Sequence, residues 1–187
     1  MDLAGFKVPV GKGDGAHLKW TNEILRKRAF IHCWSIRSKE SALMWNSCVH
    51  GDSRSIVVRS TVGCLLSALE GQPVEILRML YYPAGKPRPD WSYTAPFSAK
   101  DKATHIHERE LRVLTLLESD EAENADHKLI PADLKKLIRK VFVHPASSKE
   151  FQLEVRNELK IHGILAPIAK SQLQTHDLEL MALGQAR

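Results

Sequence analysis

The sequence lacks the run of roughly 18 apolar residues that a bilayer span requires. Its opening, Met1-Asp2-Leu3-Ala4-Gly5, has no basic segment leading into an apolar one, so it does not read as a secretory signal. A cytoplasmic protein without membrane contact is the expectation. Cysteine is scarce: Cys33, Cys48 and Cys64 are the only three, and no CxxC spacing occurs. That argues against a disulfide framework and against a closed zinc site, and leaves three free thiols expected to be buried or half-buried. Gly11-Lys12-Gly13-Asp14-Gly15 lacks the GxxxxGK[ST] spacing of a phosphate loop and reads more simply as part of a flexible arm. His107-Glu108 has no second histidine to complete HExxH, because Leu111 stands there, so that metalloprotease pattern is excluded. Apart from His105 and His107, which can pinch an ion if they share a strand face, the histidines lack ligand spacing, and no metal is expected. No internal repeat appears.

What is present suits an ordinary folded chain. Of 187 residues, 43% are hydrophobic and 26% charged, enough to bury a substantial core and to solvate a surface. A formal net charge of +5 and a pI of about 9.2 leave nucleic acid or another polyanion open as a partner. The densest basic runs, Arg26-Lys27-Arg28 and Lys135-Lys136 with Arg139-Lys140, each read as one face of a helix.

Residues 1–16 read as an N-terminal arm, 17–173 as a single domain and 174–187 as a frayed tail. Within the domain a helix is expected from Ala16 to Arg28 and a strand from Ala29 to Ile36. Ser38 looks like the cap of a helix through Met44 and Trp45. A strand over Ser55–Thr61 leads into a helix over Val62–Leu69, and Val74–Tyr82 reads as a further strand. Pro83–Phe97, with four prolines, is expected to be a loop. The alternation of Leu111, Val113, Thr115 and Leu117 predicts a strand over Glu108–Leu117. Leu134–Lys140 is expected as a short basic helix and Val141–Val143 as a brief strand. Ser147 or Ser148 should cap a helix that Gly163 stops, ahead of a last strand from Ile164 to Ala169. The sum is an α+β fold: one mixed, largely antiparallel sheet with helices packed against it.

Four phrases occur in order: His32-Cys33-Trp34-Ser35, Glu40-Ser41-Ala42-Leu43-Met44-Trp45, Ile56-Val57-Val58-Arg59-Ser60-Thr61, and His107-Glu108-Arg109-Glu110-Leu111-Arg112. With Val141-Phe142-Val143-His144-Pro145 and Ile168-Ala169-Lys170-Ser171 behind them, they resemble a chiefly bacterial family of unknown function. That family has a CW…ESxxMW block, a VAIRST-like strand and an HExELR block. The resemblance covers residues 30–173 and implies a shared fold and a shared site, without an established chemistry. This chain departs from the pattern at Cys48 and His105, where aromatics are usual, at Ser55, usually glycine, and at Asp101, usually basic.

Two readings of the chemistry are open. On a strand, Glu108 and Glu110 face the same side, and paired carboxylates can divide acid and base roles. A Glu-x-Glu strand following a strand that ends in Ser-Thr is similar to the arrangement of ADP-ribosyltransferases. That similarity implies NAD as ligand, with Ser60 and Thr61 at its nicotinamide end. It also implies Glu110 as the catalytic carboxylate beside Glu108, and Arg28 or His32 as the first-strand group holding a phosphate. Trp34 and Trp45 would supply a stacking wall, or else pack in the core. Arg59, on an otherwise apolar strand, needs a carboxylate or phosphate partner if buried, and Glu110 is the candidate. In the second reading these residues only form ion pairs, and the protein is a non-enzymatic module binding protein or nucleic acid, as in phage defence or its inhibition.

Overall fold

The structure, a computed structural model, describes residues 24–42, 45, 52–83, 95–118 and 126–173. The expected arm (1–16) and tail (174–187) lie outside these residues, as do Cys48 and the centre of the proline-rich segment. In chain order the strands are β1 (Ala29–Ser35), β2 (Ile56–Arg59), β3 (Glu75–Arg78), β4 (Leu80–Tyr82), β5 (Ala99–Asp101), β6 (Glu110–Leu116), β7 (Lys140–Val143) and β8 (Ile168–Lys170). The helices are α1 (Val62–Ala68), α2 (Ala95–Ser98), α3 (Lys102–His105), α4 (Leu134–Leu137) and α5 (Lys149–Ile161). Residues 24–28 are also helical.

The fold is α+β and rich in antiparallel pairing, but its strands form three sheets, β1-β6-β3, β2-β7-β8 and β4-β5, where the sequence suggested one. The chain divides into two compact units: Met1–Ile36 with Pro73–Leu129, and Arg37–Gln72 with Ile130–Arg187. Each unit is assembled from two separated segments. Strand pairing between positions 75 or more apart in the chain has no local signature, which is why element periodicity suggested a single sheet.

In the first unit β6 is central, antiparallel to β1 and to β3. Leu111, Val113 and Thr115 are buried on one of its faces, as the alternation requires. Leu114, on the other face, is buried as well, in a cluster with Leu25 and Phe97 flanked by Ala29, Leu77 and Leu116. Leu25, Phe97 and Leu114, the fully buried members, each stabilise by about 1.5–3 kcal/mol. The buried Thr115 hydroxyl donates to the Pro73 carbonyl at 2.9 Å. The expected strand over Val74–Tyr82 is broken at Met79. That residue is 3% exposed, and its N–H donates to the Glu110 carbonyl. Beyond it the chain leaves β6 and pairs in parallel with β5.

In the second unit β7 pairs antiparallel with β2 and parallel with β8. Among the described residues its core includes Trp45, Leu65, Ala68, Leu137, Val141, Val143 and Ile164. Helix starts are capped by side chains: Thr61 accepts from the Cys64 N–H, Asp133 from Lys135 and Lys136, and Ser148 from Phe151. Helix α5 stops at Gly163, which holds φ at +64°. Its N–H donates to the Lys160 carbonyl and that of Ile164 to Leu159, the two bonds of a Schellman ending. Among the described residues no helix is long and apolar enough to cross a membrane.

Candidate functional site

The two candidate carboxylates do converge, by a route the sequence did not indicate. Strand β6 begins only at Glu110, and Glu108 sits in the preceding turn. Between them Arg109 adopts φ +48°, a left-handed conformation that costs a non-glycine residue about 1–2 kcal/mol. Its carbonyl is held by the Ile36 N–H at 2.7 Å, and the Glu108 carbonyl by the Ser35 hydroxyl at 3.1 Å. The kink, and not strand alternation, brings both carboxylates onto Lys100, at 2.5 Å from Glu108 Oε2 and 3.1 Å from Glu110 Oε1.

Arg112, two residues along the same face of β6, completes the cluster. Its Nε and Nη2 lie 2.9 and 2.8 Å from Glu110 Oε2, and Nη1 donates to the Phe97 carbonyl at 2.7 Å. Glu110 and Arg112 side chains are only 15% and 14% exposed. The Glu110 N–H donates to Tyr81 Oη at 2.8 Å. Burial draws the Lys100 ammonium down, but the hydrogen bonds it donates to Glu108 and Glu110 outweigh it and leave its pKa raised. Cys33 stands directly across from Arg112. Although the residue is exposed, desolvation of its thiol, then the charge of Glu110, raises its pKa, so it is not an activated nucleophile. Two carboxylates and two cations thus form a charge-balanced network that ties the turn at Glu108 and strands β5 and β6 together. Each oxygen of Glu110 already accepts from a cation.

The remaining candidates are placed elsewhere. Arg59 ends β2 in the second unit, is exposed, and lies directly across from Lys140. The expected Arg59–Glu110 pair is therefore corrected. Glu110 is paired with Lys100 and Arg112, and Arg59 has no ion-pair partner among the described residues. Ser60 donates to the Leu137 carbonyl at 2.5 Å and Thr61 caps α1, so both hydroxyls serve local architecture. Trp45 is 0% exposed, donates to Glu40 Oε2 at 3.3 Å, and meets His144 edge-on at 5.4 Å between centroids. A fully buried indole has no face to offer a ligand, which corrects its part in a stacking wall. Trp34 is half-buried on β1 with the exposed His32 edge-on at 5.5 Å. The Trp34 indole N–H has no acceptor among the described residues. Arg28, the other first-strand candidate, donates to the Leu117 carbonyl at 2.5 Å and lies 3.7 Å from Glu118.

No family model, no curated protein and no solved structure matches this chain. Function rests on its own residues.

Among the described residues no three His, Cys, Asp or Glu side chains gather to hold a metal, and His105 Nδ1 is engaged with the Thr104 hydroxyl. Sequence reasoning missed Lys100 and Tyr81, whose approach to Glu110 follows only from the packing of β4 and β5. Arg112 was legible, since i and i+2 on a strand share a face. The same reasoning read Lys135-Lys136 with Arg139-Lys140 as one helix face, and missed the basic corner that Arg139 and Lys140 form with Arg59 in the second unit. There the like charges of Arg59 and Lys140 oppose each other across β2 and β7, and the Arg139 N–H donates to the Arg59 carbonyl at 3.1 Å. Lys135 and Lys136 lie on the adjoining turn of α4.

Proposed function

We propose that this protein is a non-enzymatic polyanion-binding module whose second unit engages the phosphate backbone of nucleic acid through Arg59, Arg139 and Lys140. The observation that carries the reading is the direct cross-strand opposition of Arg59 and Lys140. Like charges placed opposite each other on antiparallel strands are destabilising. Here no carboxylate among the described residues forms an ion pair with either, and the preceding residue of β7's approach, Arg139, adds a third cation. Phosphate oxygens offset that repulsion, and two of the three groups are guanidinium forks suited to phosphate. The excess of basic over acidic residues in the chain falls mostly in this unit. By comparison, the transfer of a nucleotide or NAD fragment draws less support, because Ser60, Thr61 and Glu110 already have local hydrogen-bond or ion-pair partners.

The test is salt-resolved binding of the whole chain to mixed-sequence DNA and RNA. Phosphate contacts release condensed counterions, so log affinity falls linearly with log salt, by about 0.7–0.9 per contact. Three contacts predict a slope near −2 to −3. No retention even at low salt, or an affinity indifferent to salt, refutes the reading.

A further inference from the structure

We infer that the same face selects single-stranded over duplex nucleic acid, with Phe142 as a platform for a base; the inference rests on the polyanion reading above. On paired strands, directly opposite residues share a face, and so do residues two apart. The register places Arg59 across from Lys140 and Val57 across from Phe142, and Ala169 of β8 beside Phe142. Val141 and Val143 point to the other face and are 0% exposed, so that side of β7 is the inward one. Lys140 and Phe142 therefore lie together on the opposite side, both half-buried, next to the exposed Arg59.

The Lys140 ammonium lies over the Phe142 ring, 4.6 Å from its centroid. A cation resting on an aromatic face, beside the Arg59 guanidinium, is the pairing that single strands use. The ring takes a base, and the cations take the flanking phosphates. The lysine stem is long enough for its head to leave the ring for a phosphate while a base replaces it. A duplex keeps its bases stacked within the helix. It is read by a helix or ribbon entering a groove, and a ring half-sunk in a three-stranded sheet cannot enter one.

The experiment is fluorescence anisotropy of the full chain with a labelled mixed-sequence 12-mer, as single-stranded DNA, single-stranded RNA and blunt DNA duplex, at fixed low salt. The single strands should bind on the order of tenfold more tightly than the duplex, the scale of one base stacked on an aromatic ring. Phe142→Leu should erase most of that preference while leaving duplex binding within about twofold, whereas Phe142→Tyr, which keeps the ring, should retain it. Arg59→Glu should weaken all three ligands together. Equal or tighter duplex binding, or a Phe142→Tyr protein without the preference, overturns the single-strand inference and leaves the polyanion reading standing. Absence of binding to every oligonucleotide overturns both. Should Phe142→Leu fail to give a cooperative melt, the tyrosine variant and the wild-type comparison still decide.

Discussion

Glu110 is the residue on which the two readings of the sequence diverge. Its carboxylate joins Lys100 on one oxygen and Arg112 on the other, with both Glu110 and Arg112 mostly buried. Glu110→Gln keeps the shape but leaves two cations facing a neutral amide. Hydrogen bonds to charged groups contribute about 1.5–3 kcal/mol, so a loss of that order in stability is expected. It should appear as a lower urea midpoint with unchanged m-value. Adding Arg112→Met should recover part of the loss, since removing both partners of a buried pair costs less than stranding one. A Glu110→Gln protein as stable as the parent would return this carboxylate to chemistry. That two glutamates meet near one lysine was half legible. Their spacing suggested a shared side, but the left-handed Arg109 that turns Glu108 inward, and Lys100 itself, were not. A φ of +48° at arginine follows from hydrogen bonds to Ile36 and Ser35, on a strand more than 70 residues earlier, and no local propensity encodes it.

At the scale of elements, β2 and β7 carry the clearest conflict between local stability and function. Arg59 and Lys140 occupy directly opposed positions. Replacing Arg59 with glutamate converts a repulsive cross-strand pair into an attractive one, worth roughly 0.2–1 kcal/mol. The variant should therefore melt slightly higher while retaining less nucleic acid, and its salt slope should flatten. Stability and binding moving in opposite directions is the signature expected of a residue kept for its ligand. Thermal melts paired with the anisotropy titration read both quantities, and a variant that binds as the parent does would refute the assignment. Some helix ends were legible: Ser148 at the start of α5 and Gly163 at its end, whereas Thr61, read as the last residue of a strand, caps α1. Caps act over three or four residues, so the chain states them directly. The helix expected to run from Leu134 to Lys140 instead stops at Leu137. Lys140 opens β7 because Val141 and Val143 gain more from full burial in a sheet than from one further helical turn.

For the whole molecule, the second unit predicts an acid limb in stability. His144 is 5% exposed, its Nδ1 accepts the Ala146 N–H at 3.1 Å, and Trp45 packs edge-on against its ring. Burial holds its pKa below the usual histidine value. Asp52 pulls the other way, and Lys170 adds to the depression. The unfolded chain therefore takes up a proton near pH 6.5 that the fold resists. Stability is full above that pH, falls as the pH drops below it, and levels off once the folded form also protonates. Urea midpoints measured from pH 8 to 5 should show this decline, and His144→Gln, which keeps an acceptor for Ala146, should flatten it. An unchanged slope would place the acid sensitivity elsewhere.

Local pattern along the chain was enough for the α+β class, most of the strands, the ends of α5 and the positive charge, because alternation, capping and composition act among neighbours along the chain. Packing between distant segments decided that Val74–Tyr82 divides between two sheets at Met79 and that Glu110 belongs to Lys100 and Arg112. It also decided that Arg59 faces Lys140, and that the strands sort into two units. Those outcomes depend on which distant segments hydrogen-bond and bury surface together. Such a choice is made by the summed packing of both partners, and neither carries it alone.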